Sequence, residues 1–198
     1  MPRLLILYGS THGQTAKIAE FLGHECQALG TPVDVVRAGP DAPSPAGYAG
    51  VIVAASIHAG GYQRPVMRWV RTHASTLQGM RTAFLSVCLG VLEKEPKVAA
   101  DLQRIKNEFA ERTGWEPPIA RFVAGALPWS RYNWLVKLVM RRIVARAGGD
   151  TDTSRDYEYT DWAELRSFLQ SFVVSCGAQA VPLGVAEATR ELRGVTVG

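Results

Sequence analysis

Apolar runs of strand length alternate with longer stretches of helical period, and this pattern constrains the fold more than any other feature. Residues 3–8 (RLLILY), 33–36, 50–56 (GVIVAAS), 82–88 (TAFLSVC) and 119–127 (IARFVAGAL) are near-continuous apolar runs, as strands buried on both faces require. Between and after them, 15–29, 65–77, 97–112 and 161–173 repeat apolar residues at helical spacing: Ile18, Phe21, Leu22 and Leu29 in the first; Val66, Trp69, Val70 and Leu77 in the second; Val98, Leu102, Ile105 and Phe109 in the third. Asp161 and Glu164 are spaced as a capping box at the start of the last. The pattern predicts an α/β domain, a doubly wound parallel sheet of five strands with helices on both faces. At 198 residues the chain suits one such domain.

Three cysteines, Cys26, Cys88 and Cys176, are too few and too far apart for a disulfide framework or a zinc site. A reducing compartment and no bound metal are expected. The opening MPRLLILYGS has an apolar run of five residues, too short for a secretory signal core or a membrane span. The net charge of +4 suits an anionic partner without choosing one.

The first strand runs through Gly9 into Ser10, Thr11, His12, Gly13, Gln14 and Thr15, and then directly into a helix. That places hydroxyls and unpaired backbone N–H groups at a helix N-terminus, which is an anion site. The segment is neither a P-loop (GxxxxGK followed by Ser or Thr) nor a dinucleotide turn (GxGxxG). A polar turn capped by Ser or Thr is the plainer alternative.

The segment from Tyr8 to Thr15 resembles the phosphate loop for flavin mononucleotide (FMN) of flavodoxins, with Gln14 where Asn is common. The resemblance implies strand order 2-1-3-4-5, FMN as cofactor, and a ligand beyond the C-terminal ends of strands one and three. Two more loops are expected there. Ser56, Ile57, His58, Gly60 and Tyr62 follow strand three, with glycines for close approach to a flat ring and Tyr62 and His58 to touch it; a partly exposed loop without ligand is the alternative. Ser86, Val87, Cys88 and Leu89 end strand four and lack the aromatic that electron carriers stack on the flavin. Gly125, at the end of strand five, completes the candidate set. The Cys88 thiol reads as a packed side chain rather than a nucleophile.

More than thirty residues, about 128–159, separate strand five from the closing helix. Within them Arg131, Lys137, Arg141, Arg142 and Arg146 occur with no acid before Asp150, and Tyr132, Val136, Val139, Met140, Ile143 and Ala147 share one helical side. Two uses weigh evenly: a helix on an anionic membrane with Tyr132 and Trp134 at headgroup depth, or a helix packed on the domain. Nucleic acid is not expected, since no binding module is visible.

Together with Ala55-Ser56-Ile57, Gly60 and Tyr62, with 124–127 followed by Arg131, Tyr132 and Trp134, and with 148–153 and 159–162, this insertion makes the chain similar to menaquinone-dependent protoporphyrinogen IX dehydrogenases. That resemblance implies FMN-mediated oxidation of protoporphyrinogen IX in haem synthesis, with electrons passed to a membrane quinone, menaquinone or ubiquinone. It also implies a peripheral place on the cytoplasmic side of the inner cell membrane. No residue in the sequence has to be a general base. The rivals are a soluble NAD(P)H:quinone reductase or electron carrier, and a flavin-free binding module. Residues 1–174 are expected to form the FMN domain and 175–198 a tail, in part disordered; homo-oligomerisation is left open.

Overall fold

The computed structural model describes residues 3–93, 95–127, 152 and 154–177. Five parallel strands, β1 (Leu4–Gly9), β2 (Val33–Arg37), β3 (Gly50–Ser56), β4 (Arg81–Cys88) and β5 (Ile119–Ala124), form one sheet in the order β2-β1-β3-β4-β5. β1 lies between β2 and β3, with Leu4 opposite both Val33 and Gly50, so the chain reverses its direction of winding at β1 and β3. This single reversal, between β1 and β3, leaves a crevice at the C-terminal strand ends.

Period-two alternation divides the buried strands between two cores. Leu4, Ile6, Ile52 and Leu85 face α1 (Gln14–Ala28) and the closing helix α5 (Trp162–Gly177), where Ile18, Leu22, Leu169 and Phe172 meet them. Leu5, Leu7, Val51, Val53 and Phe84 face α2 (Arg64–Thr72), α3 (Ala74–Gln78) and α4 (Pro96–Thr113). There Phe84 and Phe109 stack with ring centroids 4.6 Å apart, and Trp115 closes the layer edge-on.

Several boundaries differ from the sequence reading. The single helix expected over 65–77 is two, broken at His73, and both pieces keep the expected core residues Val66, Trp69, Val70 and Leu77. Leu29, expected on the core face of α1, caps its end and is 45% exposed. Strand five stops at Ala124; after Gly125 the short β6 (Ala126–Leu127) leaves the sheet and pairs antiparallel with β7 (Tyr157–Glu158). The Tyr159 N–H donates to the Gly125 carbonyl, holding that break in place. Asp161 caps α5 by accepting from the Glu164 N–H at 2.9 Å, but Glu164 turns to Arg121 instead of closing the box. α5 also runs through Ser175, Cys176 and Gly177, with Cys176 buried, past the expected start of the tail. The helical insertion expected after strand five falls mostly on 128–151, outside the described residues, as does 178–198.

Phe84→Ala should cost about 3–5 kcal/mol of stability, since a large aromatic is lost from a packed layer. Urea unfolding checks this, and a loss under about 1 kcal/mol would contradict the packing described.

Candidate functional site

β1 delivers Gly9 to the rim of the sheet, residues 10–13 turn, and α1 begins at Gln14. The turn needs Gly13, whose φ of 101° lies in the region that side chains other than glycine rarely adopt. Its N–H donates to Ser10 Oγ at 3.0 Å. α1 has no side-chain cap and no acid in its first turn. The N–H groups of that turn, unpaired within any helix, therefore face outward with the positive end of the helix dipole. Gly9 is required for a different reason: a Cβ there would come within 2.5 Å of Val66 Cγ2 and 2.9 Å of Gln63 Oε1. α2 thus begins directly against the loop. The Gln63 amide donates to Thr11 Oγ1 at 3.0 Å and to Ser56 Oγ at 2.6 Å, tying the loop to the end of β3.

Beside this loop lies a cavity of about 290 Å³. Ser10, His12, Gln14 and Thr15 line it from the first loop, Ser56, Ile57 and His58 from the second, and Val87, Cys88 and Leu89 from the third, with Gly125 opposite. Two backbone bonds hold the loops together beyond the regular ladder: Ile57 N–H to the Val87 carbonyl at 2.9 Å and Gly125 N–H to the Cys88 carbonyl at 3.2 Å. The rings of His12 and His58 meet edge-on at 5.0 Å. Among the described residues no carboxylate lies on the wall, so an anion entering meets donors and apolar surface there. Cys88 is half-buried, and burial pushes its thiol pKa up against the N–H groups of Val91 and Gly90. It stays protonated at neutral pH, as a packed wall residue would.

Five of the candidate residues are not on this wall. Thr11 and Gly13 belong to the turn itself, and Gly60 sits at the tip of the second loop, where no side chain approaches. Tyr62, expected to touch a flat ring, points into the core instead. Its hydroxyl pairs with Ser86 at 2.8 Å, its ring packs edge-on against Phe84 and Phe109, and burial raises its pKa to about 12. Ser86, also buried, is its partner rather than a wall residue. Gly90, Leu102 and Ala126 line the cavity in addition to the expected residues, and Gln63 braces it. Leu102 comes from a helix read as core, and nothing marks Gln63 in sequence beyond its place before Arg64-Pro65. Arg131, Tyr132, Trp134, Lys137, Arg141, Arg142 and Arg146 lie outside the described residues. Among the described residues no cluster could hold a metal ion.

These residues fit FMN. The donors at Ser10–Thr15 suit a phosphate dianion, and Ile57, Val87, Leu89 and Gly125 offer apolar surface to a flat ring.

Residues 5–154 match the family described as flavodoxin domain. Among curated relatives, the Escherichia coli K12 protein named protoporphyrinogen IX dehydrogenase (quinone) is 34% identical over 84% of this chain and 92% of its own length. A Leishmania major protein of the same name is 32% identical over 93% of the chain and 78% of its own length. The chain belongs to this family of flavodoxin-domain dehydrogenases. Solved structures agree on the fold: oxidised flavodoxin 2 from Bacillus cereus has a TM-score of 0.53 at 15% identity, covering 87% of this chain and 99% of that one. A short-chain flavodoxin associated with a bacterial microcompartment also reaches 0.53, at 12% identity over 89% of this chain and 99% of its own.

Two variants test the geometry. The double change Thr11→Ala and Thr15→Ala should weaken FMN binding by about 1.5–3 kcal/mol for each lost charge-assisted bond, read by flavin fluorescence titration; unchanged affinity would contradict the loop's role. Tyr62→Phe should leave FMN affinity unchanged and lower stability by about 0.5–1.5 kcal/mol, the value of a buried hydroxyl pair. A large loss of FMN from that variant would return Tyr62 to the ligand.

Proposed function

We infer that this chain is an FMN-dependent protoporphyrinogen IX dehydrogenase that passes electrons to a quinone. The family membership carries this reading, and the donor-rich turn before α1 supports it by matching the cofactor's phosphate. When bound, FMN supplies the redox chemistry. The chain's own residues do the rest. Ser10–Thr15 hold the phosphate end, while Ile57, Val87 and Leu89 shape the ring's bed. Cys88, kept as a thiol by burial, adds no charge to it. No aromatic side chain lies among Ser86–Leu89 to cover the ring, which supports access for a large flat donor.

The quinone acceptor sets a further requirement, because a quinone dissolved in lipid must meet the flavin at a membrane. Among the described residues no helix is long and apolar enough to cross one. The basic, aromatic stretch from Arg131 to Arg146 supports peripheral attachment to an anionic surface, on the cytoplasmic side of the cell membrane. Each Lys or Arg near such a surface contributes about 1 kcal/mol, enough together for reversible attachment. Arg131 and Arg142 also suit the anionic propionates of the substrate, with Tyr132 and Trp134 beside them for its apolar macrocycle.

Mixed anaerobically, the FMN-loaded protein should be bleached by protoporphyrinogen IX faster than by NADH or NADPH, and recoloured by a menaquinone analogue. Fast bleaching by NADPH with none by porphyrinogen would make it a soluble reductase. Changing Arg141, Arg142 and Arg146 together to Gln should reduce co-sedimentation with anionic vesicles and its salt sensitivity, with FMN content intact. Binding indifferent to both salt and the triple change would overturn the electrostatic attachment.

A further inference from the structure

A cavity of about 490 Å³ lies behind the phosphate loop rather than in the flavin bed. His12, Gly13, Gln14, Lys17 and Glu20 line it from the first loop and α1, and Asp156, Tyr157 and Glu158 from the chain around β7. Glu158 reaches from β7 across this gap to the first turns of α1. Its Oε1 accepts from Gln14 Nε2 at 3.0 Å, and its Oε2 accepts from Lys17 Nζ at 2.7 Å. Gln14 Nε2 donates also to Thr160 Oγ1 at 2.9 Å, and that hydroxyl donates on to the Ala124 carbonyl at 2.8 Å. Lys17 is further held over the Trp162 ring at 5.2 Å. Residues more than a hundred and forty positions apart thus meet at the turn that binds the phosphate.

Two physical consequences follow. α1 carries no acid in its first turn, and Glu158, bonded to Gln14 and Lys17, brings a negative charge to its positive end. Partial burial pushes the Glu158 carboxyl up, but the bonds from Lys17, Gln14 and Trp162 together with the Lys17 charge outweigh this and hold its pKa below the ordinary value, so it is ionised at neutral pH. A phosphate dianion at the same helix end must then share the dipole with a carboxylate, and Lys17 is the cation that offsets the repulsion.

We propose that Glu158 and Lys17 form a charge-compensated clasp that positions the phosphate loop through Gln14 and sets its affinity for FMN. Both are positioning residues: neither is assigned contact with the flavin. The inference rests on the phosphate binding at Ser10–Thr15. It makes a prediction that depends on sign. Glu158→Gln is nearly isosteric and keeps an acceptor for Gln14 while removing the charge, so FMN should bind several-fold more tightly. Lys17→Met leaves the carboxylate uncompensated and should weaken binding by about tenfold, equivalent to about 1.4 kcal/mol. The combined variant should bind more tightly than the product of the two single effects, because with Glu158 neutral the loss of Lys17 no longer leaves a carboxylate uncompensated, and that excess is the coupling.

The measurement is FMN titration of the apoprotein at low and high salt, with the phosphorus NMR shift of bound FMN recorded for each variant. The clasp predicts opposite signs for the two single changes, a coupling that shrinks with salt, and a phosphorus shift in Glu158→Gln. Equal weakening in both variants, or an unmoved phosphorus signal with unmoved affinity, would overturn it. Thr11→Ala with Thr15→Ala serves as the separate control. If that pair weakens FMN while the Lys17 and Glu158 changes show no coupling, the clasp alone fails; if that pair has no effect, the phosphate placement itself fails.

Discussion

Everything functional in this chain depends on one helix end. α1 starts immediately after β1 with neither an acidic first turn nor a side-chain cap, so its leading N–H groups and dipole are left for a ligand. The sheet order puts that end in the crevice between the two directions of winding. The four aliphatic residues of β1, all buried, hold it there: Leu4 and Ile6 anchor one layer of helices, and Leu5 and Leu7 the other. An anion at this turn is therefore bound by backbone that the whole core keeps in place.

The remaining site residues reach the cavity by extending the sheet. Ile57 bonds to Val87, and Gly125 to Cys88, one step past the last paired residues of β3 and β5. Three loops that are far apart in sequence become neighbours at no cost beyond the ladder itself. Gln63 adds the cross-brace between the first two.

The sheet was legible in sequence because strands buried on both faces read as unbroken apolar runs, as GVIVAAS and RLLILY do. The turn at Ser10–Thr15 was legible because small and hydroxylated residues between such a run and a helix serve few other ends. What could not be read was side-chain direction and long-range pairing. Tyr62 follows two glycines in a loop, which suggests exposure, yet the bridge between His58 and Gly61 folds the loop back and sends the ring into the core. The run IARFVAGAL looks like one strand, because nothing local shows that Ala126 and Leu127 pair with Tyr157 and Glu158 instead. Gln63, Thr160 and Glu158 carry no motif at all; their roles arise only where β1, β3, α1 and the β6–β7 pair converge.

The central claim is that hydrogen leaves protoporphyrinogen IX through FMN held at the start of α1. It is tested most directly by following protoporphyrin fluorescence under anaerobic conditions, with porphyrinogen and a menaquinone analogue present and only the state of the protein varied. Protoporphyrin should form with the FMN-loaded protein, fail to form with the apoprotein, and return when FMN is added back. Equal product from loaded and apoprotein, or none from either, would contradict the account.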